Sequence, residues 1–221
     1  MAWLFRRNSK AYLHYETTNE RGDMKEVPKH NSGSQSNTES STDFDDEQQA
    51  KKHFDAVKKR LLDVNHWHSY AGAASADFCV TDANGNPINS VPEKGNYFRI
   101  NIPGPGSASG EGYDWVRVED ISGESNNSEE CFSITVRPAP SPVNEQKDVA
   151  HFFTEEATSS FVVKREKNNI IAGVYGRNEK PNTDTERVSD KIRNAAVATG
   201  AISAFSKLQW KSLVNGLIKK D

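Results

Sequence analysis

Long apolar runs are missing from this sequence, and so is any excess of positive charge. Its uninterrupted apolar stretches are only a few residues long, so no helix is expected to span a bilayer. Lysine and arginine number 28 against 31 aspartates and glutamates, a formal net charge of −3. That balance argues against nucleic-acid binding, which usually shows a basic excess. Cysteine is scarce: Cys79 and Cys131 stand far apart in predicted strands and read as buried free thiols, not a disulfide. The opening Met1-Ala2-Trp3-Leu4-Phe5-Arg6-Arg7 is too short in apolar residues for an export signal, and its charges follow that stretch instead of preceding it. A cytoplasmic location is the expectation.

Several chemical signatures are missing as well. The glycine-rich stretch 101–112 has no Gly-Lys-Ser/Thr, and its prolines remove the backbone N–H donors that cradle phosphate. It reads as a connector or a mobile lid. No serine or cysteine sits in a nucleophile-elbow context such as Gly-x-Ser-x-Gly. His66-Trp67-His68 places two imidazoles on one side of an extended chain, as metal ligands can be placed. A third ligand would have to come from His53 or His151, and no metal or other cofactor is expected. His151, beside Glu155 and Glu156, has the makings of an acid–base pair, but no catalytic residue is assigned.

What is present is a sequence of changing periods. Residues 17–43 hold few large apolar side chains, and the run from Asn31 to Thr42 is nearly all small and polar. Such composition offsets little of the entropy lost on ordering. Residues 1–43 are therefore expected to be a flexible tail and linker, with residues 44–221 forming one domain. An island of larger groups between residues 3 and 15 could dock on a protein partner. Next, Asp43, Asp45 and Asp46 precede Ala50, Phe54, Val57, Leu61 and Val64, spaced as one face of an amphipathic helix.

Period two follows: Phe78/Val80, Phe98/Ile100/Ile102, Val116/Val118 and Ile134/Val136 each alternate with polar neighbours, as half-buried strands do. Two longer strands near 155–165 and 169–177 flank Lys167-Asn168-Asn169, a hairpin in which an asparagine is expected to take positive φ. Alternation sends Arg99, Arg117 and Arg137 away from the aliphatic set, and Trp115 with them. Residues 189–221 return to helical spacing through Ile192, Ala195, Ala196, Ile202, Phe205, Leu213 and Leu217, with Ser189 as N-cap. The class is α+β: a six-stranded antiparallel sheet, one N-terminal amphipathic helix, and a long C-terminal helix.

The segment Leu61-Leu62-Asp63-Val64-Asn65-His66-Trp67-His68-Ser69-Tyr70 resembles the aromatic-rich stretch of the START-like and Bet v 1-like (helix-grip, SRPBCC) superfamily. Gly95-Asn96-Tyr97-Phe98-Arg99-Ile100 resembles the glycine-led strand that follows it there. The end of the chain, with Val174-Tyr175-Gly176-Arg177-Asn178, looks distinctive of a narrow bacterial family. The superfamily pattern places a strand before the first helix, where this sequence shows only its polar linker. The resemblance implies a cavity between sheet and C-terminal helix that binds a small apolar ligand without covalent chemistry. Tyr97, Tyr113, Trp115, Phe161, Tyr175, Phe205 and Trp210 are the candidate ligand-binding residues. Two alternatives stand beside it: an interaction module with a filled core and a docking tail, and a cyclase- or hydrolase-like enzyme.

Overall fold

A computed structural model describes residues 24–72, 75–102, 106–145, 147–183 and 201–220, with only the backbone for residues 201–205. In chain order the elements are β1 (Ser34–Asp43), α1 (Glu47–Leu62), a 3₁₀ turn (Val64–His66), α2 (Trp67–Ala71), and strands β2 (Asp77–Thr81) and β3 (Tyr97–Asn101). Strands β4 (Asp114–Ser125), β5 (Glu129–Pro138), β6 (Thr158–Glu166) and β7 (Asn169–Glu179) follow, then α3 (Ala201–Leu217). The strands form one antiparallel sheet in the order β1-β7-β6-β5-β4-β3-β2. The predicted N-cap at Ser189 lies outside the described residues.

The sheet has seven strands, not six. The seventh is β1, within the polar run expected to be linker, and it pairs with β7 from Ser34 opposite Glu179 to Asp43 opposite Asn169. Its stability comes from the main-chain ladder and from what lies on it, not from apolar side chains. Thr38, Ser40 and Thr42 stand opposite Val174, Ala172 and Ile170, which places them on the helix-covered face. There the Ser40 hydroxyl meets Asn215 of α3, and Lys211 Nζ donates to Ser40 Oγ at 2.8 Å. Cations also reach the strand's carbonyls: Arg177 donates to Ser36 O, Lys211 to Glu39 O and Lys220 to Asp43 O at 3.2, 2.7 and 2.6 Å.

Alternation divides the remaining strands as predicted. Phe98, Ile100, Val116, Val118, Ile134, Val136, Phe161, Val163, Ile170, Ala172 and Val174 face the helices, where they meet Phe54, Val57 and Leu61 of α1 and Leu213, Val214 and Leu217 of α3. A bulge at Glu119 shifts the β4–β5 register between Val118 and Asp120. Ile121 thereby returns to the core side opposite Ile134. Helix α1 starts as its sequence implies, the Asp46 carboxylate accepting from Gln49 N at 2.8 Å.

Two tight features fix the helices and hairpins. Gly216 of α3 crosses α2 so closely that a Cβ there would lie 2.1 Å from Tyr70 O. At the far end of the sheet, Arg165 is 1% exposed on the helix-covered face. Its Nε donates to Glu130 Oε2 at 2.6 Å, and Nη1 donates to Lys167 O and Ser128 O at 2.8 and 3.3 Å. One guanidinium thus ties the β4–β5 turn to the β6–β7 turn. In the latter, Lys167 takes the left-handed conformation (φ 52°), not an asparagine as expected. Asn168 and Asn169 instead bond back to Phe44 O and the Asp43 carboxylate at 2.7 and 2.8 Å.

Candidate functional site

Between the sheet and α3 the rings of four aromatic residues converge. Trp67 lies 4.6 Å from Phe161 and 5.1 Å from Phe78 between centroids, and Trp210 lies 5.4 Å from Phe161 and 6.0 Å from Phe78. The angles are tilted or edge-on, the arrangements that ring quadrupoles favour. Trp67 is buried and its indole N–H donates to Leu61 O at 3.0 Å. Trp210 is only half-buried, so the cluster grades from sealed core to partly open surface along α3.

A carboxylate stands on the same helix-covered side. Glu179, at the end of β7, occupies the space over Gly176: a Cβ there would lie 2.0 Å from Glu179 Oε1. Ser36 Oγ donates to that oxygen at 3.1 Å. Burial raises the carboxyl pKa above its ordinary value, and the opposing pulls of Ser36, Arg177 and Lys207 do not cancel that rise.

The seven candidate ligand-binding residues do not form one group. Phe161 and Trp210 belong to the aromatic cluster. Phe205 lies in α3 five residues before Trp210, its side chain outside the described residues. Tyr97 and Trp115 point to the opposite face, 6.4 Å apart between centroids, because each alternates with a core residue. Trp115 is nevertheless 1% exposed: the turn at residues 107–112 folds over it, and its indole N–H donates to Gly110 O at 3.2 Å. That part of the glycine-rich stretch is therefore held against the face away from the helices, and residues 103–105 lie outside the described ones. Tyr113 stacks under the Arg99 guanidinium at 4.7 Å. Tyr175 packs with Cys131 and Val162, also on the opposite face, and donates to Glu39 Oε1 at 2.9 Å.

Two members of the aromatic cluster, Trp67 and Phe78, were not among the candidates. Phe78 was legible by its alternation with Cys79. Trp67 carries no periodic signal of its own, because the helix that it opens is only five residues long. The His66-Trp67-His68 segment is helical, not extended. Its indole enters the core, while His66 Nδ1 pairs with Asp63 Oδ1 at 2.6 Å. His53 Nε2 meets Ile218 O at 3.0 Å. The His151 ring stacks on Phe152 at 4.2 Å and its Nδ1 accepts from Phe153 N at 3.0 Å. Among the described residues no three His, Cys, Asp or Glu side chains gather to hold a metal ion.

The outward expectation for the arginines agrees with the structure. Arg117 donates to Glu119 Oε1 from Nη2 and Nε at 2.7 and 3.0 Å, and Arg137 Nη1 donates to Glu155 O at 2.6 Å. The cysteines are both free, but only Cys131 is buried; Cys79 is partly exposed. Burial, with the Glu26 carboxylate beside it, pushes the Cys131 thiol up to about 12. At pH 8, iodoacetamide is expected to label Cys79 and leave Cys131 unmodified, since the thiolate is the nucleophile. Peptide mass mapping checks this, and equal labelling would contradict the packing of residues 24–27 over Cys131.

No helix among the described residues is long and apolar enough to cross a membrane. No family model matches the chain, and no curated protein matches it. Among solved structures, it is similar to a hypothetical protein from Helicobacter pylori at 14% identity and TM-score 0.45, covering 95% of this chain and 98% of that one. It is similar to major latex-like protein 151 from Panax ginseng at 13% identity and TM-score 0.31, covering 78% and 97%. Norcoclaurine synthase from Thalictrum flavum is similar at 10% identity and TM-score 0.32, covering 84% and 94%. The topology described above, one strand, two helices, six strands and a final helix on a single sheet, is itself the helix-grip order.

Proposed function

We propose that the domain binds a small, largely apolar ligand between the helix-covered face of the sheet and α3, with no covalent chemistry. The supporting observation is the aromatic cluster Trp67–Phe78–Phe161–Trp210, which becomes partly open at Trp210 beneath the C-terminal helix. Binding sites for such ligands combine apolar and aromatic walls with a few placed polar groups. Glu179, buried enough for its carboxyl to be raised, offers one such group near α3. Ligand burial supplies the affinity, and the carboxyl, protonated or not, sets orientation.

Native mass spectrometry of the purified chain, compared with the denatured chain, tests the reading. The expected result is an added mass of a few hundred daltons, or saturable binding of 1-anilinonaphthalene-8-sulfonate seen as energy transfer from tryptophan. Trp210→Ala should weaken either by about tenfold, from loss of buried aromatic area. A bare chain that also fails to bind the dye would move the weight to an interaction module with a filled core.

A further inference from the structure

The face of the sheet away from the helices carries a concavity of about 400 Å³ bordered by several charged residues. Residues 24–28 form one wall, including Glu26 and Pro28, and Asp120 of β4 and Thr135 of β5 line the sheet side. One end is bordered by Arg137 and Thr158. These two are neighbours on adjacent strands, one step beyond the Val136–Ser159 pair.

Three observations give this groove a chemistry. Arg137 stands directly opposite Arg117, a like-charge pairing that is unfavourable without compensation. Arg117 has Glu119; Arg137 donates to the Glu155 carbonyl and makes no ion pair among the described residues, the Glu156 carboxylate acting on it only from a distance. Thr158 is 2% exposed, and its hydroxyl is buried with no hydrogen-bond partner, a costly state for a polar group. A turn about χ1 to another staggered well would exchange its methyl with that hydroxyl and present an O–H to the groove. At the other side Asp120 carries negative charge and makes no ion pair among the described residues. Asp120 lies opposite Thr135, two residues and one strand spacing from Arg137, roughly 8 Å.

We propose that this groove binds a small zwitterion, with its carboxylate on the Arg137 guanidinium and the Thr158 hydroxyl and its ammonium on the Asp120 carboxylate. The guanidinium gains the anionic partner that its position opposite Arg117 demands. The ligand class is an amino acid or similar molecule whose two charges are separated by a short chain. The site is separate from the apolar one proposed above, on the other side of the sheet, and does not depend on it.

The test uses the full chain and three probes: 6-aminohexanoate, hexanoate and hexylamine. Binding is read from ¹H–¹⁵N spectra at the amides of Asp120, Arg137 and Thr158 and at the Arg137 Nε–H. Saturable shifts with 6-aminohexanoate are expected, with hexanoate and hexylamine each at least about tenfold weaker. Arg137→Gln should weaken 6-aminohexanoate by about tenfold to a hundredfold. Asp120→Asn should abolish its advantage over hexanoate. Should either variant fail to fold, Thr158→Val removes an unpartnered hydroxyl and leaves the fold at least as stable, while weakening the zwitterion about tenfold. The proposal is overturned by absence of saturable shifts, by equal affinity for either half-molecule, or by undiminished binding in folded Arg137→Gln or Thr158→Val.

Discussion

Glu130→Ala is expected to lower stability by about 3–5 kcal/mol, because it strands a buried cation. Arg165 is 1% exposed and Glu130 8%, so neither water nor another carboxylate among the described residues replaces the lost partner. At about 2–4 °C per kcal/mol for a chain of this size, the melting midpoint should fall by about 6–20 °C. Glu130→Gln, which keeps an acceptor and loses the charge, should fall in between. Replacing both partners, as Arg165→Met with Glu130→Leu, should recover much of the loss, since an apolar pair leaves no buried charge. If the single and double variants melt together, the contribution lies instead in the bonds from Arg165 to the turn carbonyls of Ser128 and Lys167.

Gly216→Ala is the second large effect, and its sign runs against helix propensity. In a free helix alanine is favoured over glycine by about 1 kcal/mol. Here the new Cβ would lie 2.1, 2.6 and 3.1 Å from Tyr70 O, C and Cα, backbone atoms that cannot swing aside. Overpacking of this kind typically costs about 1–3 kcal/mol, and the expected net loss is about 2 kcal/mol by urea denaturation. A separate readout follows from what α3 holds. As α3 is pushed from α2, the contacts of Lys211 and Asn215 with β1 must adjust, and amide exchange in β1 should quicken more than in β4 or β5. A variant more stable than the parent would mean that the two helices do not cross at this glycine.

The sequence was most readable where side chains carry the structure. Strands β2 to β7 show themselves because one row, from Phe98 to Val174, must be apolar against the helices while the alternate row need not be. Helix α1 reads equally well, from Asp46 to Leu61. Strand β1 was not readable, because Ser34–Asp43 meets α3 through hydroxyls and a cation, and its ladder belongs to the backbone. Composition does not register a strand whose partners are carbonyls and amides. The candidate site divides for a related reason. Alternation assigned Trp115 to the arginine side, but a large indole suggested an interior; the turn at residues 107–112 supplies cover on a face expected to be wet. Glu179 gave no local signal, since its position depends on the missing side chain of Gly176.

The cations bound along β1 carry a further consequence, for encounters between separate molecules. An edge strand offers unpaired main-chain acceptors on which another chain can build a new strand, the usual route to sheet-mediated self-association. On the open side of this strand the oxygens of Glu39 and Asp43 already accept from Lys211 and Lys220. An incoming strand would have to displace two charged donors, each held more strongly than the neutral amide bond that would replace it. The C-terminal helix is thus a guard for the edge it lies beside, keeping a serine-rich strand from acting as a template.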